Sequence, residues 1–374
     1  MIKRILLESV HQFVFQKKAI LIVGPRQTGK TTLVRELLKD LKQDYIWLNG
    51  DDPADREKLT NKNVSELNSL VGKMPILVID EAQLVPSIGL TLKLLVDQIP
   101  TIQVIATGSS AIGLADKIQE PLTGRKWEFH LFPLAFKELA EFSSQLTEEK
   151  LLAHRLIYGY YPEVIMSPGR EIMLLEELSG SYLYKDLLML ENVRKPALLG
   201  KLLQALALQL GSEVSTQELS RLLGVNSETI ERYLDLLEKA FIIFRLTALS
   251  RNLRTELKKS KKIYFYDNGI RNAIIKNFAP LELRTDTGAL WENFLISERI
   301  KINHYKNRFT NNWFWRTQQQ QEIDFIEEYG GVLHAYEFKW SLSSKARIPK
   351  TFLNAYPGTE ATIITKQNFM DFLL

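Results

Sequence analysis

The chain has 374 residues, no cysteine, 25% charged side chains and a formal net charge of +4. That length exceeds what one hydrophobic core usually supports, so two or more domains are expected. The composition excludes disulfides, thiolate metal sites and a uniformly polycationic surface, and the five scattered histidines offer no pair at metal-ligand spacing.

The opening Met1-Ile2-Lys3-Arg4 resembles the start of a signal peptide, but Glu8, His11 and Gln12 interrupt the apolar run. No apolar stretch approaches the ~20 residues of a membrane span. The expectation is a soluble, cytoplasmic chain with no membrane partner.

Short apolar runs at Ala19–Val23, Tyr45–Leu48, Ile76–Ile79 and Val104–Ala106 alternate with amphipathic segments such as Thr31–Leu41. Runs of that length suit strands buried on both faces, and the alternation predicts a doubly wound α/β layer with a parallel sheet. Between the first run and the first helix stands Gly24-Pro25-Arg26-Gln27-Thr28-Gly29-Lys30-Thr31, followed by Thr32. It fits the phosphate-loop pattern G-x-x-x-x-G-K-[ST] in its proper strand-to-helix setting. The glycines let backbone amides approach phosphate, and the helix end adds positive potential. Lys30 supplies a point charge between the β- and γ-phosphates of ATP, and Thr31 offers a hydroxyl to Mg2+.

The strand Ile76–Ile79 ends in Asp80-Glu81. Asp80 is the second candidate for holding Mg2+, and Glu81 is the candidate that orients or deprotonates an attacking water. The next strand runs into Thr107-Gly108-Ser109-Ser110, whose hydroxyls, Ser109 above all, can contact the γ-phosphate. Arg125, after Gly124, can stabilise transition-state charge in cis or from a neighbouring subunit. Plainer alternatives are a solvated acidic turn, a hydroxyl-rich turn and a surface arginine.

Residues 146–195 read as helical with a turn at Gly159-Tyr160-Tyr161-Pro162. Further on, Ser215-Thr216-Gln217-Glu218 opens a helix, Gly224-Val225-Asn226 turns, and a second helix covers Glu228–Lys239, which is the helix-turn-helix outline. Phe241–Leu246 reads as a strand leading into a wing. The segment from Arg245 to Lys262 carries Arg245, Arg251, Arg254, Lys258, Lys259, Lys261 and Lys262 against Glu256 alone, the local excess expected where DNA or RNA phosphates bind. Glu228, Glu231, Asp235 and Glu238 on the second helix argue against deep major-groove reading. A packing role for this module is the alternative.

Trp313–Thr317, Glu322–Glu328 and Val332–Ser341 read as three consecutive strands. Asp324 lies within the second, Glu337 and Lys339 share a face of the third, and Glu292 sits upstream on an amphipathic helix. The spacing Asp-x12-Glu-x-Lys resembles metal-dependent nucleases of the restriction-endonuclease type. There Asp324, Glu337 and Glu292 would gather hard cations, and Lys339 would position water or offset phosphate charge. The alternatives are solvated strand faces or an inactive nuclease fold.

Taken in order, Gly24–Thr31, Asp51-Asp52-Pro53, Asp80-Glu81-Ala82-Gln83, Thr107-Gly108-Ser109, Gly124-Arg125, Pro133-Leu134, Tyr161-Pro162-Glu163, Lys262–Asp267 and Trp291-Glu292-Asn293-Phe294 form a specific set. In these the chain resembles the prokaryotic AAA-type ATPases whose C-terminal half carries a restriction-endonuclease-like domain of unknown function. The resemblance implies an ATPase domain over 1–145 and a helical, lid-like segment over 146–195. It further implies a winged-helix domain over 196–262 and a small α/β restriction-endonuclease-like domain over 263–374. It implies no settled biological role. Two classes of function fit: an ATPase coupled to a nucleic-acid-binding or nuclease-like C-terminal half, and a nucleotide-controlled switch or scaffold for a protein partner. The number of subunits is not specified by the sequence.

Overall fold

The computed structural model describes residues 2–109, 122–182, 196–250, 261–341 and 347–374. The chain divides into two compact units, one built chiefly on Met1–Pro133 and the other chiefly on the chain from Leu134 onward.

In the first unit, strands β1 (Ala19–Val23), β2 (Tyr45–Asn49), β3 (Ile76–Asp80), β4 (Gln103–Gly108) and β5 (Lys126–His130) form a parallel sheet of order β2-β3-β4-β1-β5. Every residue of β1, β3 and β4 is buried, which is why their central positions are Ile, Val, Leu and Ala. The expected α/β layer with its parallel sheet is present. β5, at the edge, was not foreseen; its alternation of charged and aromatic residues belongs to a half-buried edge strand. Asp51-Asp52-Pro53 proves to be a helix start. The Asp52 carboxylate accepts from Ala54 N at 2.9 Å, and Pro53 opens the helix Pro53–Leu59.

Because β4 lies between β1 and β3, the C-terminal ends of these three strands stand side by side. The phosphate loop, Thr107–Ser109 and Asp80-Glu81 therefore share one edge of the sheet, where ligands of open α/β sheets bind.

The second unit holds a seven-stranded mixed sheet. Its strands are β6 (Glu213–Val214), β7 (Ile243–Ala248), β8 (Lys261–Phe265), β9 (Asn311–Arg316), β10 (Glu322–Tyr329), β11 (Val332–Phe338) and β12 (Glu360–Ile364). The order is β12-β11-β10-β9-β7-β8-β6. After β6 come the helices Thr216–Leu223 and Ser227–Lys239, with Ser215 capping the first and Gly224 turning at φ +67°. β7 and β8 then form an antiparallel pair. β7 also pairs in parallel with β9, matching Thr247 to Trp313 and Ala248 to Phe314. This corrects the expected division at residue 262: the boundary falls inside β8, and one hydrogen-bonded sheet runs through 196–262 and 263–374. Likewise the second unit begins at Leu134, ahead of the boundary at 145.

The expected lid-like helices are packed into this unit. Tyr161, Val164, Leu174 and Leu175 share a core with Ile270 and Ala273 of the helix Asn268–Ile274. At the turn between them, Gly159 has φ +73°, and a Cβ there would lie 2.1 Å from the Asp267 carboxylate. Asp267 caps the Asn268–Ile274 helix through Ile270 N at 3.0 Å and accepts from Tyr160 N at 2.6 Å. The Tyr161-Pro162 and Tyr266-Asp267 motifs thus lock one turn to one helix.

Candidate nucleotide site and carboxylate cluster

Gly24 leaves β1 so close to the backbone that follows β5 that a Cβ would stand 2.1 Å from the Leu131 carbonyl oxygen. Gly29 closes the loop at φ +92° and precedes the helix Lys30–Leu41, a conformation that disfavours any side chain. Thr28 Oγ1 donates to Pro25 O at 2.9 Å, and Lys30 Nζ donates to Gly24 O and Pro25 O at 3.0 and 2.8 Å. The loop, with Arg26 and Gln27 at its crest, is thereby held curled around an ammonium. Thr32 is exposed on the first turn of the helix. Arg4 braces the assembly from outside: its guanidinium donates to Thr28 O at 2.6 Å and Phe132 O at 2.7 Å.

Thr31 Oγ1 lies 3.0 Å from Asp80 Oδ2, and Thr107 Oγ1 donates to Asp80 Oδ1. Hydroxyl and carboxylate oxygens thus converge on one point, a hard-donor pair that suits Mg2+. Glu81 adopts a left-handed conformation at φ +50°, with its N–H donating to Thr107 Oγ1 at 3.1 Å. Gln83 Nε2 donates to Glu81 Oε2 at 2.6 Å and to Ser109 Oγ at 3.2 Å. The structure therefore gathers Lys30, Thr31, Asp80, Glu81 and Ser109. Ser110 lies outside the described residues. The sequence reading missed Arg4 and the role of Gln83, although Gln83 stood within the quoted Asp80–Gln83 motif.

Arg125 is not brought to this edge. It immediately precedes β5 and accepts from Ala19 N at 2.9 Å, at the N-terminal end of β1, while its Nε donates to Asp97 at 2.6 Å. The five residues of β1 separate it from the loop, about 16 Å at the rise of a strand. The geometry thus corrects the role in cis; a plain surface arginine paired with Asp97, or a role across subunits, remains.

In the second unit Glu292, Asp324, Glu337 and Lys339 also come together, from the helix Thr287–Tyr305 and from β10 and β11. Asp324 Oδ2 accepts from Phe338 N at 2.8 Å, and Lys339 Nζ donates to Glu337 Oε1 at 2.6 Å. Burial, reinforced by Glu292 and Glu337, pushes the Asp324 carboxyl well up from its ordinary value, and burial pushes Glu337 up as well. Lys262, assigned from sequence to the basic wing, belongs here instead. It is 2% exposed, ion-pairs with Glu292 Oε1 at 3.2 Å and with Glu322, and lies over the Phe314 ring. Tyr264, two residues along β8, donates to the same Glu292 oxygen. The period-two alternation of Lys261-Lys262-Ile263-Tyr264 was the signal that could have placed both.

Among the described residues, no three acidic or histidine side chains are arranged to hold a metal ion. The ligand set Glu292, Asp324 and Glu337 expected from the nuclease resemblance does not fit: Lys262 and Tyr264 engage Glu292, and Lys339 engages Glu337.

The basic footprint shrinks correspondingly. Arg245 pairs with Glu231, Asp235 and Glu238, and Lys261 pairs with Glu231. Glu231, Asp235 and Glu238 of the second helix are thus partnered by two cations from within the chain. Arg251, Arg254, Lys258 and Lys259 lie outside the described residues.

Sheet, loop and acidic strand end together define an α/β P-loop NTPase-like fold. Residues 16–140 match the family model of an AAA domain, and residues 149–281 and 287–371 match two models described only as domains of unknown function. Residues 16–140 carry an AAA-type P-loop ATPase domain, and the relatives that match over most of the chain include uncharacterized prokaryotic proteins. One, from Mycobacterium tuberculosis, is 29% identical over 327 residues, covering 86% of this chain and 70% of its own. Another, from Haemophilus influenzae, is 28% identical over 279 residues, covering 68% of each. Among solved structures, a Walker-type ATPase of Pyrococcus abyssi aligns with 72% of this chain and 93% of its own, at 18% identity and a TM-score of 0.48. No helix among the described residues is long and apolar enough to cross a membrane.

Proposed function

We propose that this chain is a magnesium-dependent ATPase. The observation that carries the reading is the convergence of Thr31 on Asp80 at 3.0 Å beside Lys30 and Glu81. Lys30 would exchange the loop carbonyls it now binds for the β- and γ-phosphates of ATP, and the loop amides would hold the same groups. Thr31 and Asp80 would hold Mg2+, which neutralises developing phosphate charge. Glu81 would orient or deprotonate the attacking water, with Gln83 and Ser109 fixing its carboxylate.

For the second unit, the helix-turn-helix followed by the β7–β8 pair supports a winged-helix reading. The strands β9–β11 with the adjoining helix support a restriction-endonuclease-like one. The internal pairing of Arg245, Lys261 and Lys262 favours the switch or scaffold class over a nuclease. In that reading ATP sets a conformation read by a protein partner. DNA or RNA contact would fall to the basic residues between 251 and 259.

Hydrolysis assays on wild type, Lys30→Ala and Glu81→Gln test the ATPase reading. Lys30→Ala should lose ATP binding, and Glu81→Gln should bind ATP yet turn over at least about 100-fold more slowly. Unchanged affinity in the first, or wild-type turnover in the second, would remove the assignment.

A further inference from the structure

A divalent cation needs several carboxylate oxygens free to converge on it at about 2.0–2.6 Å. In the second unit one oxygen of each carboxylate is already engaged, and Glu337 Oε2 is buried without a hydrogen-bond partner. Glu292 Oε1 receives both Lys262 Nζ and the Tyr264 hydroxyl; Glu322 receives Lys262. Asp324 Oδ2 receives a backbone N–H, and Glu337 Oε1 receives Lys339. Lys262 itself is nearly sealed from solvent and packed over the Phe314 ring, so its ammonium has no aqueous alternative to these carboxylates.

We infer that Lys262, delivered by β8, stands in place of a metal ion and makes the Glu292–Asp324–Glu337 cluster a metal-free structural centre. Several features follow from one tethered charge. An ammonium covalently held at the centre competes with a free cation at high effective concentration. Glu322, which the nuclease resemblance does not use, becomes the second carboxylate of the lysine. Lys261, its neighbour on β8, pairs with Glu231 of the Ser227–Lys239 helix. Consecutive residues of one strand therefore tie the helix-turn-helix and the carboxylate cluster to the same backbone.

The test is a titration of Mn2+ into the nucleotide-free full chain carrying Lys30→Ala, which disables the nucleotide site. Bound metal is read by loss of the free-Mn2+ resonance signal and by the melting temperature. Without further change, no saturable binding that depends on Asp324 is expected. Adding Lys262→Met should create such a site, abolished by Asp324→Asn. A saturable Mn2+ site in the chain that retains Lys262, lost on Asp324→Asn, would overturn the inference and restore a metal centre. A folded Lys262→Met chain without Mn2+ binding would also overturn it, because the lysine would then not occupy a cation's place. Should Lys262→Met fail to fold, the Asp324→Asn comparison in the chain with Lys262 remains decisive.

Discussion

Gln83 Nε2 bridges Glu81 Oε2 at 2.6 Å and Ser109 Oγ at 3.2 Å, linking the ends of β3 and β4 through one buried amide. On the mechanism proposed above, this amide is the contact that sets where the Glu81 carboxylate points. Gln83→Leu, which keeps the volume and removes the donor, should lower kcat about tenfold while ATP affinity stays within about threefold. Steady-state kinetics with an independent binding measurement separates the two. Unchanged kcat would mean that Glu81 is positioned by something else.

Arg4 acts on the loop from outside the motif. Two hydrogen bonds from a buried guanidinium to Thr28 O and Phe132 O each have a charged partner, worth about 1.5–3 kcal/mol apiece. Arg4→Met should destabilise the chain by about 2–4 kcal/mol in urea unfolding and weaken ATP binding about tenfold. Full stability in the variant would contradict the bracing role.

Gly159→Ala probes the lock between the turn and the Asn268–Ile274 helix. The new Cβ would meet the Asp267 carboxylate at 2.1 Å on a backbone at φ +73°. Strain and displaced caps together predict a loss of about 3–5 kcal/mol. A loss below about 1 kcal/mol in denaturant titration would show that Asp267 is not seated there.

Asp324 predicts a pH dependence. Its folded pKa is raised by burial and by Glu292 and Glu337, from an ordinary 3.8. The folded chain therefore holds a proton that the unfolded chain releases as pH rises above about 4. Stability on this account falls with increasing pH until the folded group itself ionises. Asp324→Asn keeps an acceptor for Phe338 N and removes the titration. It should unfold at higher denaturant than wild type at pH 8, with the difference shrinking towards pH 4. A difference independent of pH would assign the gain to packing.

The nucleotide site was largely legible in the sequence because its chemistry is local. The loop is eight consecutive residues from Gly24 to Thr31, the acidic pair ends a strand of five residues, and the buried strands announce themselves by unbroken Ile and Val. The helix-turn-helix was legible for the same reason, through Ser215, Gly224 and the apolar face of Ser227–Lys239. Strands β9 to β11 were likewise placed to within a few residues, by alternation and turns.

What tertiary structure decided was which distant residues meet. Insertion of β4 between β1 and β3 brought Thr107 to Asp80 and Ser109 to Gln83, and the parallel register of β1 with β5 carried Arg125 to the far end of the sheet. The parallel pairing of β7 with β9 merged two expected domains into one sheet. It was burial, invisible in a run of basic residues, that turned Lys262 from a candidate phosphate contact into the counter-charge of a carboxylate cluster. A one-residue step along a strand reverses the face, so Lys261 and Lys262 look alike in sequence and opposite in the fold.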